Sequence, residues 1–256
     1  MVCKRLRWRL EKENLIASTQ FGSRNMRSTT DFLVSLESDV CDAFAMNEHL
    51  LLVPLDVEKA YEMGWVNRGS VLSVLLFIIA INEALEIISI YPYINGRLFV
   101  DDFSLTLRGT NIDVTIKIMQ HVLNKLLEWS ETRGFKLSKT KSEYMLFKRS
   151  QDINHEPLML YNQPMKKVPQ LKILGLIFDS KLKHAAIIYD SANKKTLKIL
   201  DSIQNNALRI ALGAFRTSPT TTLEAEANIP PLVLRRKELC LRYVLTASSN
   251  PNNPAC

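Results

Sequence analysis

Two short apolar runs, residues 93–100 and 103–107, meet at the acidic pair Asp101-Asp102. Runs of this length, rich in aliphatic and aromatic residues, predict a β-hairpin with both carboxylates at its turn. A third apolar run, residues 49–55, predicts a buried strand that ends at another carboxylate, Asp56. If these strands are neighbours in an antiparallel sheet, the three carboxylates converge at one edge of that sheet. The pattern therefore predicts a mixed α and β fold with an acidic sheet edge.

A converging group of carboxylates has a specific chemistry. Adjacent carboxylates repel each other, and a divalent cation is what best holds their ionised forms together. Two metal ions about 4 Å apart can activate a 3′-hydroxyl and stabilise a leaving pyrophosphate. Asp is also common in hairpin turns for purely local reasons, so Asp101-Asp102 taken alone is more typical of a simple turn. The surrounding sequence has to decide between the two interpretations.

The rest of the chain predicts helices between the strands. Ser28 to Asp31 has the pattern of a capping box before apolar residues at helical spacing. Further helices are predicted at 70–89, 113–132, 194–212 and 232–245, and further strands at 143–147 and 171–178. Pro54 cannot donate to a ladder, which predicts an edge or a bulge within the strand 49–55. Residues 248–254 are predicted to be a loose tail.

Charge is distributed unevenly along the chain. The net charge is +7, yet residues 31–102 carry 12 acidic and 3 basic residues, a net of −9. Residues 1–27 and 133–149 are basic. An acidic centre between basic flanks suits divalent cations in the middle and phosphates around them, although an ordinary solvated surface with uneven charge fits equally well.

Composition excludes several classes of protein. With 46% hydrophobic and 23% charged residues, a packed core is expected rather than disorder. No apolar run reaches the roughly 18 residues of a membrane span, and residues 1–13 do not resemble a secretory signal. The four cysteines and four histidines are scattered, which argues for reduced thiols in an intracellular protein and against a zinc site.

Seven segments, in order along the chain, resemble the reverse transcriptases of target-primed (non-LTR) retrotransposons, the jockey-like arthropod elements in particular. Residues 55–61, 69–77 and 99–102 resemble the first-aspartate, Gly-Ser and aromatic-x-Asp-Asp motifs of the palm. Residues 20–31 are similar to the fingers, 129–141 to the helix-and-lysine motif, 171–179 to the primer-grip hairpin and 209–236 to the segment after the thumb.

The resemblance implies roles for particular residues. Asp56, Asp101 and Asp102 would be catalytic and hold Mg²⁺ or Mn²⁺, with the carbonyl of Val57 as a further ligand. The implied nucleotide-binding residues are Tyr61, Gly69, Ser70 and Lys141, with Tyr61 as an aromatic gate against a 2′-hydroxyl. The implied nucleic-acid contacts are Arg24, Arg27, Lys139, Leu174 and Gly175. On residue type alone, Tyr61 is more typical of a core aromatic, and Lys141 is equally one more solvated lysine in the basic run 133–149.

The family also implies an architecture and partners. We expect an α+β polymerase palm, an antiparallel sheet backed by helices, over 49–182, after partial fingers at 1–48 and before a helical thumb or connection remnant at 183–256. The implied partners are an RNA template, a DNA primer and deoxynucleoside triphosphates, with no membrane. The nucleus and cytoplasm are the expected locations.

Two stretches depart from the family pattern. Only 8 positions separate Tyr61 from Gly69, and Asn67-Arg68 stands where the family has Pro-Gln. A second contraction lies near residues 183–187, so much of the thumb is expected to be missing. On this resemblance, we expect the chain to begin inside the fingers and to lack the endonuclease and RNase H domains found in many relatives. We therefore expect a shortened copy with impaired polymerase activity. The alternatives are an inactive nucleic-acid-binding remnant, another palm-type nucleotidyl enzyme such as a cyclase, and a helical structural protein without a site.

Overall fold

A computed structural model gives the fold, and it describes residues 2–58, 71–139, 141–148, 155–180 and 194–235, with 237, 238, 241 and 245. The helices are α1 (Val2–Lys12), α2 (Thr29–Ala45), α3 (Val71–Ser89), α4 (Ile112–Arg133), α5 (Lys194–Leu212) and α6 (Thr220–Glu226). The strands are β1 (His49–Glu58), β2 (Ile94–Phe99), β3 (Asp102–Gly109), β4 (Lys136–Leu137), β5 (Glu143–Phe147), β6 (Met159–Leu160), β7 (Gln163–Pro164), β8 (Lys166–Lys167), β9 (Gln170–Ile173) and β10 (Leu176–Asp179).

A six-stranded sheet organises the first part of the chain. Its order is β2-β3-β1-β5-β8, and β4 pairs with the end of β1. All its pairs are antiparallel except β5 with β8, which is parallel. The expectation of a mixed helix and sheet fold with a predominantly antiparallel sheet is confirmed.

At Pro54, β1 is hydrogen-bonded to a neighbouring strand on one side only. Here β1 pairs with β3 through Ser104, whereas its pairing with β5 ends at Leu52 and its pairing with β4 begins at Val57. A proline removes one backbone donor, so this locally open side of the strand tolerates it. The predicted local edge at Pro54 is therefore present, although β1 is otherwise central in the sheet.

Helices cover both faces of the sheet. Leu51, Val53 and Leu55 are buried in one apolar cluster with side chains of α3 and α4. Because side chains alternate along a strand, the intervening positions face the opposite side, where α2 contacts β1, β2 and β3. The sheet is thus enclosed between α2 and the pair α3 and α4.

Local sequence signals set the bounds of α2 and α4. Ser28 and Asp31 form a complete capping box at the start of α2, as predicted. The Asn111 side chain accepts hydrogen bonds from two backbone N–H groups at the start of α4. Gly134 ends α4 with φ 75°, a left-handed conformation that favours glycine. The predicted helices 113–132 and 194–212 are confirmed as α4 and α5.

Helix α3 is long and apolar enough to cross a membrane by length and composition alone. Half of its apolar window is buried inside the fold, and α3 contacts β2, α4 and α1. A buried core helix meets the same criteria, so α3 is weak evidence for a span and the expectation of no membrane remains a prediction.

Several short elements were not predicted. Helix α1 lies in the basic segment, and its Leu10 packs against Leu75 and Ile78 of α3. The run 171–178 is a hairpin of β9 and β10 rather than one strand. Helix α6 and the short strands β4, β6, β7 and β8 carry too few residues for periodicity to reveal them.

The chain divides into two compact units, with the boundary between residues 182 and 183. In the second unit α5 contacts α6. Residues 232–235 are helical, and much of the predicted helix 232–245 and the tail 248–254 lies outside the described residues. The division of the first unit into fingers and palm stays a prediction.

Candidate functional site

Asp56 and Asp102 are direct partners across the antiparallel pair of β1 and β3. Residues directly opposite each other project to the same face, with Cβ atoms typically about 4.5–5.5 Å apart. Asp101 is the last residue of the turn between β2 and β3. Strand pairing therefore brings together three carboxylates that are up to 46 positions apart in the sequence, at one end of the sheet.

The turn that carries Asp101 is strained at Val100. Phe99 and Asp102 are paired, which leaves a two-residue loop. Val100 has φ 61°, and it is the loop's only residue with positive φ, the pattern of a type II′ turn. Glycine is the usual residue there, and a β-branched side chain in this region costs of order 1–3 kcal/mol. This backbone persists only because its surroundings hold it.

Burial and then mutual repulsion perturb the pKa of Asp102 in the acidic site. Asp102 as a whole residue is exposed, but its carboxyl group is partly buried, and this burial raises the pKa of Asp102. The neighbouring charges of Asp101 and Asp56 raise the pKa of Asp102 further. Lys141 opposes this effect, and its Nζ lies 3.3 Å from each carboxylate oxygen of Asp56. The lysine ammonium thus provides a positive charge at the acidic sheet end.

The donor chemistry of this site fits Mg²⁺ or Mn²⁺, which prefer carboxylate oxygens. Among the residues the structure describes, however, no three His, Cys, Asp or Glu side chains are arranged as a group that could hold a metal ion. Asp56 is half-buried and is already paired with Lys141. Binding a cation here would require the side chains to rearrange, with Lys141 leaving Asp56, and the metal roles of these carboxylates stay a prediction.

The segment after α4 lies beside the acidic site. Val57 pairs with Leu137 of β4, and the backbone N–H of Ser138 donates to the Asp56 carbonyl over 2.8 Å. These contacts place Lys141 next to Asp56. Lys139 instead lies over the ring of Tyr161, with 5.0 Å between Nζ and the ring centroid. The role of the Val57 carbonyl as a metal ligand stays a prediction. The contact of Lys139 with nucleic acid also stays a prediction.

The two predicted arginine contacts are held within the fold. Arg24 donates to the Glu11 carboxylate and to the carbonyls of Ala17 and Gln20, and its side chain is 8% exposed. Arg27 donates to the Ser18 carbonyl and lies over the ring of Phe21. Burial, and then Arg24, lowers the pKa of Arg27. In this structure both side chains organise the loop after α1, and phosphate contacts stay a prediction.

Leu174 and Gly175 form the two-residue tip of the β9–β10 hairpin. Both have positive φ, 47° and 89°, as in a type I′ turn. The hairpin implied by the family resemblance is present in place of the single strand that the apolar run predicted, whereas its role in gripping a primer is untested. Tyr61, Gly69 and Ser70 lie outside the described residues.

Gln20 and Gly22 contact the acidic turn directly, and the sequence did not reveal this. Oε1 of Gln20 accepts from the N–H groups of Gly22 and Val100. The fingers-like motif drew attention to these residues without indicating their partner. No spacing or periodicity in the sequence indicates this contact.

Comparison with known proteins gives two findings. No curated protein matches this chain. A family model described as reverse transcriptase (RNA-dependent DNA polymerase) matches residues 61–178. The matched range includes Asp101, Asp102 and Lys141, and it begins five positions after Asp56. Residues 61–178, a little under half of the chain, are therefore similar to a reverse-transcriptase domain.

Proposed function

We propose that this chain is a shortened copy of the reverse transcriptase of a non-LTR retrotransposon, of the jockey-like type. Its reaction would be RNA-directed DNA synthesis on an RNA template from a DNA primer and deoxynucleoside triphosphates, in the nucleus and cytoplasm. The observation that carries the proposal is the pairing of Asp56 with Asp102, beside Asp101, in a chain whose residues 61–178 match the reverse-transcriptase model.

The acidic residues would each have a defined part in the reaction. Asp56, Asp101 and Asp102 would hold two divalent metal ions, with the Val57 carbonyl as a further oxygen ligand. When bound, such ions activate the primer 3′-hydroxyl and stabilise the leaving pyrophosphate. Lys141 would move from Asp56 to the triphosphate, since an ammonium group 3.3 Å from a carboxylate is an exposed and exchangeable partner.

Positioning of template and nucleotide is where this copy would be impaired. Tyr61 would exclude a 2′-hydroxyl, and Gly69-Ser70 would support the nucleotide. The stretch between them is short, and Asn67-Arg68 replaces the family's Pro-Gln. A misplacement of about 1 Å at a reacting centre can cost on the order of 100-fold in rate. We therefore expect no useful primer extension by this chain as it stands.

Primer extension on an RNA template with Mg²⁺ tests the proposal. The chain would be compared with a version in which the segments between Tyr61 and Gly69 and near residue 185 are restored to family length. An Asp101→Ala variant of each is the control. We expect extension by the restored chain alone, abolished by Asp101→Ala.

Two results would change the proposal in different ways. If the restored chain folds but does not extend a primer, the polymerase assignment fails. If the unrestored chain extends a primer and Asp101→Ala abolishes it, the assignment stands and the impairment is wrong. An inactive remnant that only binds nucleic acid is the second candidate. It is favoured by exposed basic side chains on α1, such as Lys4, Arg5 and Lys12, and predicts RNA binding that Asp101→Ala leaves unchanged.

A further inference from the structure

The segment after α1 lies along the outer edge of the sheet. Gln20 forms a parallel bridge with Leu98 of β2. The N–H of Phe21 donates to the Leu98 carbonyl over 2.8 Å, and the N–H of Leu98 donates to the Thr19 carbonyl over 3.0 Å. Since β2 is an edge strand of the sheet, these bonds satisfy groups that would otherwise face solvent. The same segment then reaches the turn at Val100.

The Gln20 side chain joins this segment to the turn. It is fully buried, and its Oε1 accepts from the N–H of Gly22 over 3.0 Å and from the N–H of Val100 over 3.4 Å. Two backbone donors on one atom identify that atom as the oxygen, because an amide nitrogen cannot accept them. Nε2 of Gln20 has no partner among the described residues. The side chain therefore acts chiefly through its oxygen.

Gly22 leaves no room between the segment and the turn. A Cβ at this position would lie 2.4 Å from the Val100 nitrogen, 2.5 Å from Val100 Cγ2 and 2.9 Å from the Phe99 carbonyl carbon. Two of these three atoms are backbone and cannot move without moving the turn. Gly22 is thus required by close packing, not by its own backbone conformation.

Val100 is the residue that needs external support. Its left-handed backbone is unfavourable for a β-branched side chain, so an isolated hairpin with this sequence would relax to another turn. Such relaxation would change the direction of Asp101 and the start of β3 at Asp102. The only described side chain that hydrogen-bonds to the Val100 N–H is Gln20.

We propose that Gln20 and Gly22 are positioning residues that clamp Val100 in its left-handed conformation and so set Asp101 and Asp102 against Asp56. The clamp acts through the turn. The consequence for metal affinity rests on the function proposed above, whereas the consequence for the turn does not.

The first experiment measures the clamp itself by NMR amide hydrogen exchange in the full chain. Gln20→Met keeps the size of the side chain and removes the acceptor. We expect the Val100 amide to exchange on the order of 10-fold faster, the scale of one hydrogen bond's net contribution. The Phe21 amide, bonded to Leu98, is the internal control and should stay protected. Unchanged exchange at Val100, or equal loss at Phe21 and Val100, overturns the clamp.

The second experiment measures Mn²⁺ binding by electron paramagnetic resonance of the free ion. Removing residues that orient metal ligands typically weakens metal affinity 10–100-fold. We expect weakening on the order of 10-fold in both Gln20→Met and Gly22→Ala. Gly96→Ala is the matched control, since the atoms nearest to a Cβ there belong to the Leu85 and Ile88 side chains and not to backbone. It should bind Mn²⁺ like the native chain.

The two readouts separate the clamp from the proposed function. If the native chain binds Mn²⁺ no better than Asp101→Ala does, the metal function fails, and the exchange at Val100 still decides the clamp. If the native chain binds Mn²⁺ and folded Gln20→Met binds it equally well, the clamp has no role in the site. Circular dichroism establishes which variants are folded. Should Gly22→Ala not fold, Gln20→Met alone carries both measurements.

Discussion

At the scale of single residues, the acidic sheet end combines like charges with a strained turn. Asp56 and Asp102 are opposite each other by strand register, and Val100 holds a left-handed backbone beside them. Both features are unfavourable for folding on their own. Proteins keep such features at sites where the arrangement serves a ligand, because repelling carboxylates become favourable once a cation joins them.

Replacing Asp102 with Asn should stabilise the fold when no divalent ion is present. The pKa of Asp102 is raised by burial and by Asp101 and Asp56, so the folded state binds its proton more readily than the unfolded state does. The free energy of unfolding therefore falls as the pH rises from the ordinary carboxyl pKa to the raised pKa of folded Asp102. We expect Asp102→Asn to unfold at higher urea concentration at pH 7 in EDTA. The difference in urea midpoint between Asp102→Asn and the native chain should shrink as the pH falls towards the ordinary carboxyl pKa of about 4.

A pH-independent difference between Asp102→Asn and the native chain would contradict this account. Added Mn²⁺ supplies a second check. It should stabilise the native chain more than Asp102→Asn, because the amide is a weaker ligand for a hard cation.

His49, at the start of β1, gives a second dependence on pH. It is 3% exposed, and its Nε2 lies 2.9 Å from the hydroxyl of Thr115, which itself donates to the Asn111 carbonyl. Burial, followed by Lys148 and His155, lowers the pKa of His49. The unfolded state therefore binds a proton first, and stability is lost as pH falls below about 6.5. Urea midpoints between pH 7.5 and 5.5 should fall less in His49→Gln than in the native chain. If the urea midpoints of His49→Gln and of the native chain fall equally with pH, His49 is not the cause of the loss of stability.

At the scale of elements, α2 is attached to the sheet by a buried polar cluster. Arg97 of β2 is 3% exposed and forms an ion pair of 2.6 Å with Asp39 of α2. It also donates to Ser35 and to the hydroxyl of Thr106. Every member of this cluster has a partner, which is the condition under which buried charges are tolerated.

Breaking this cluster should therefore be costly. Arg97→Ala leaves Asp39 without its counter-ion, and losing one partner of a buried pair typically costs about 3–5 kcal/mol. Urea unfolding followed by circular dichroism measures the free energy of unfolding. The control is Lys125→Ala, which removes the exposed ion pair with Glu128 and should leave the midpoint unchanged. A loss below about 1 kcal/mol for Arg97→Ala would mean that water replaces the arginine.

Elements with local signals were predictable. The capping box at Ser28 and the left-handed Gly134 mark the ends of α2 and α4, since both depend on neighbours within one turn of helix. Helix α1 was missed because its many basic residues obscure a narrow apolar stripe. That stripe includes Leu10, which contacts Leu75 and Ile78.

At the scale of the whole molecule, the basic flanks predict salt-dependent binding of RNA. Each phosphate neutralised on a single strand contributes about −0.7 to the slope of log affinity against log salt. Lys4, Arg5 and Lys12 are exposed, whereas Arg24 is enclosed by Glu11 and two carbonyls. We expect Lys4→Ala, Arg5→Ala and Lys12→Ala each to reduce the steepness of the slope.

Fluorescence anisotropy with a labelled RNA between low and physiological salt provides the measurement. Lys125→Ala is the control, because Lys125 lies outside the basic flanks and is paired with Glu128. An affinity that does not change with salt would show that these side chains face water and not phosphate. A change in slope for Lys125→Ala would show that binding is spread over the whole surface.

The sequence by itself determined the helices with local caps, the apolar strands and the placement of carboxylates at strand ends. These features depend on residues that are close along the chain. Only the tertiary structure decided that Asp56 pairs with Asp102, that Arg24 is enclosed by Glu11 and that Gln20 holds Val100. Each of these contacts joins segments whose separation in sequence carries no periodic signal. The register of β1 against β3 is selected by the burial of the sheet between α2 and the pair α3 and α4, because a slip of one residue would turn every core side chain of a strand towards the opposite face.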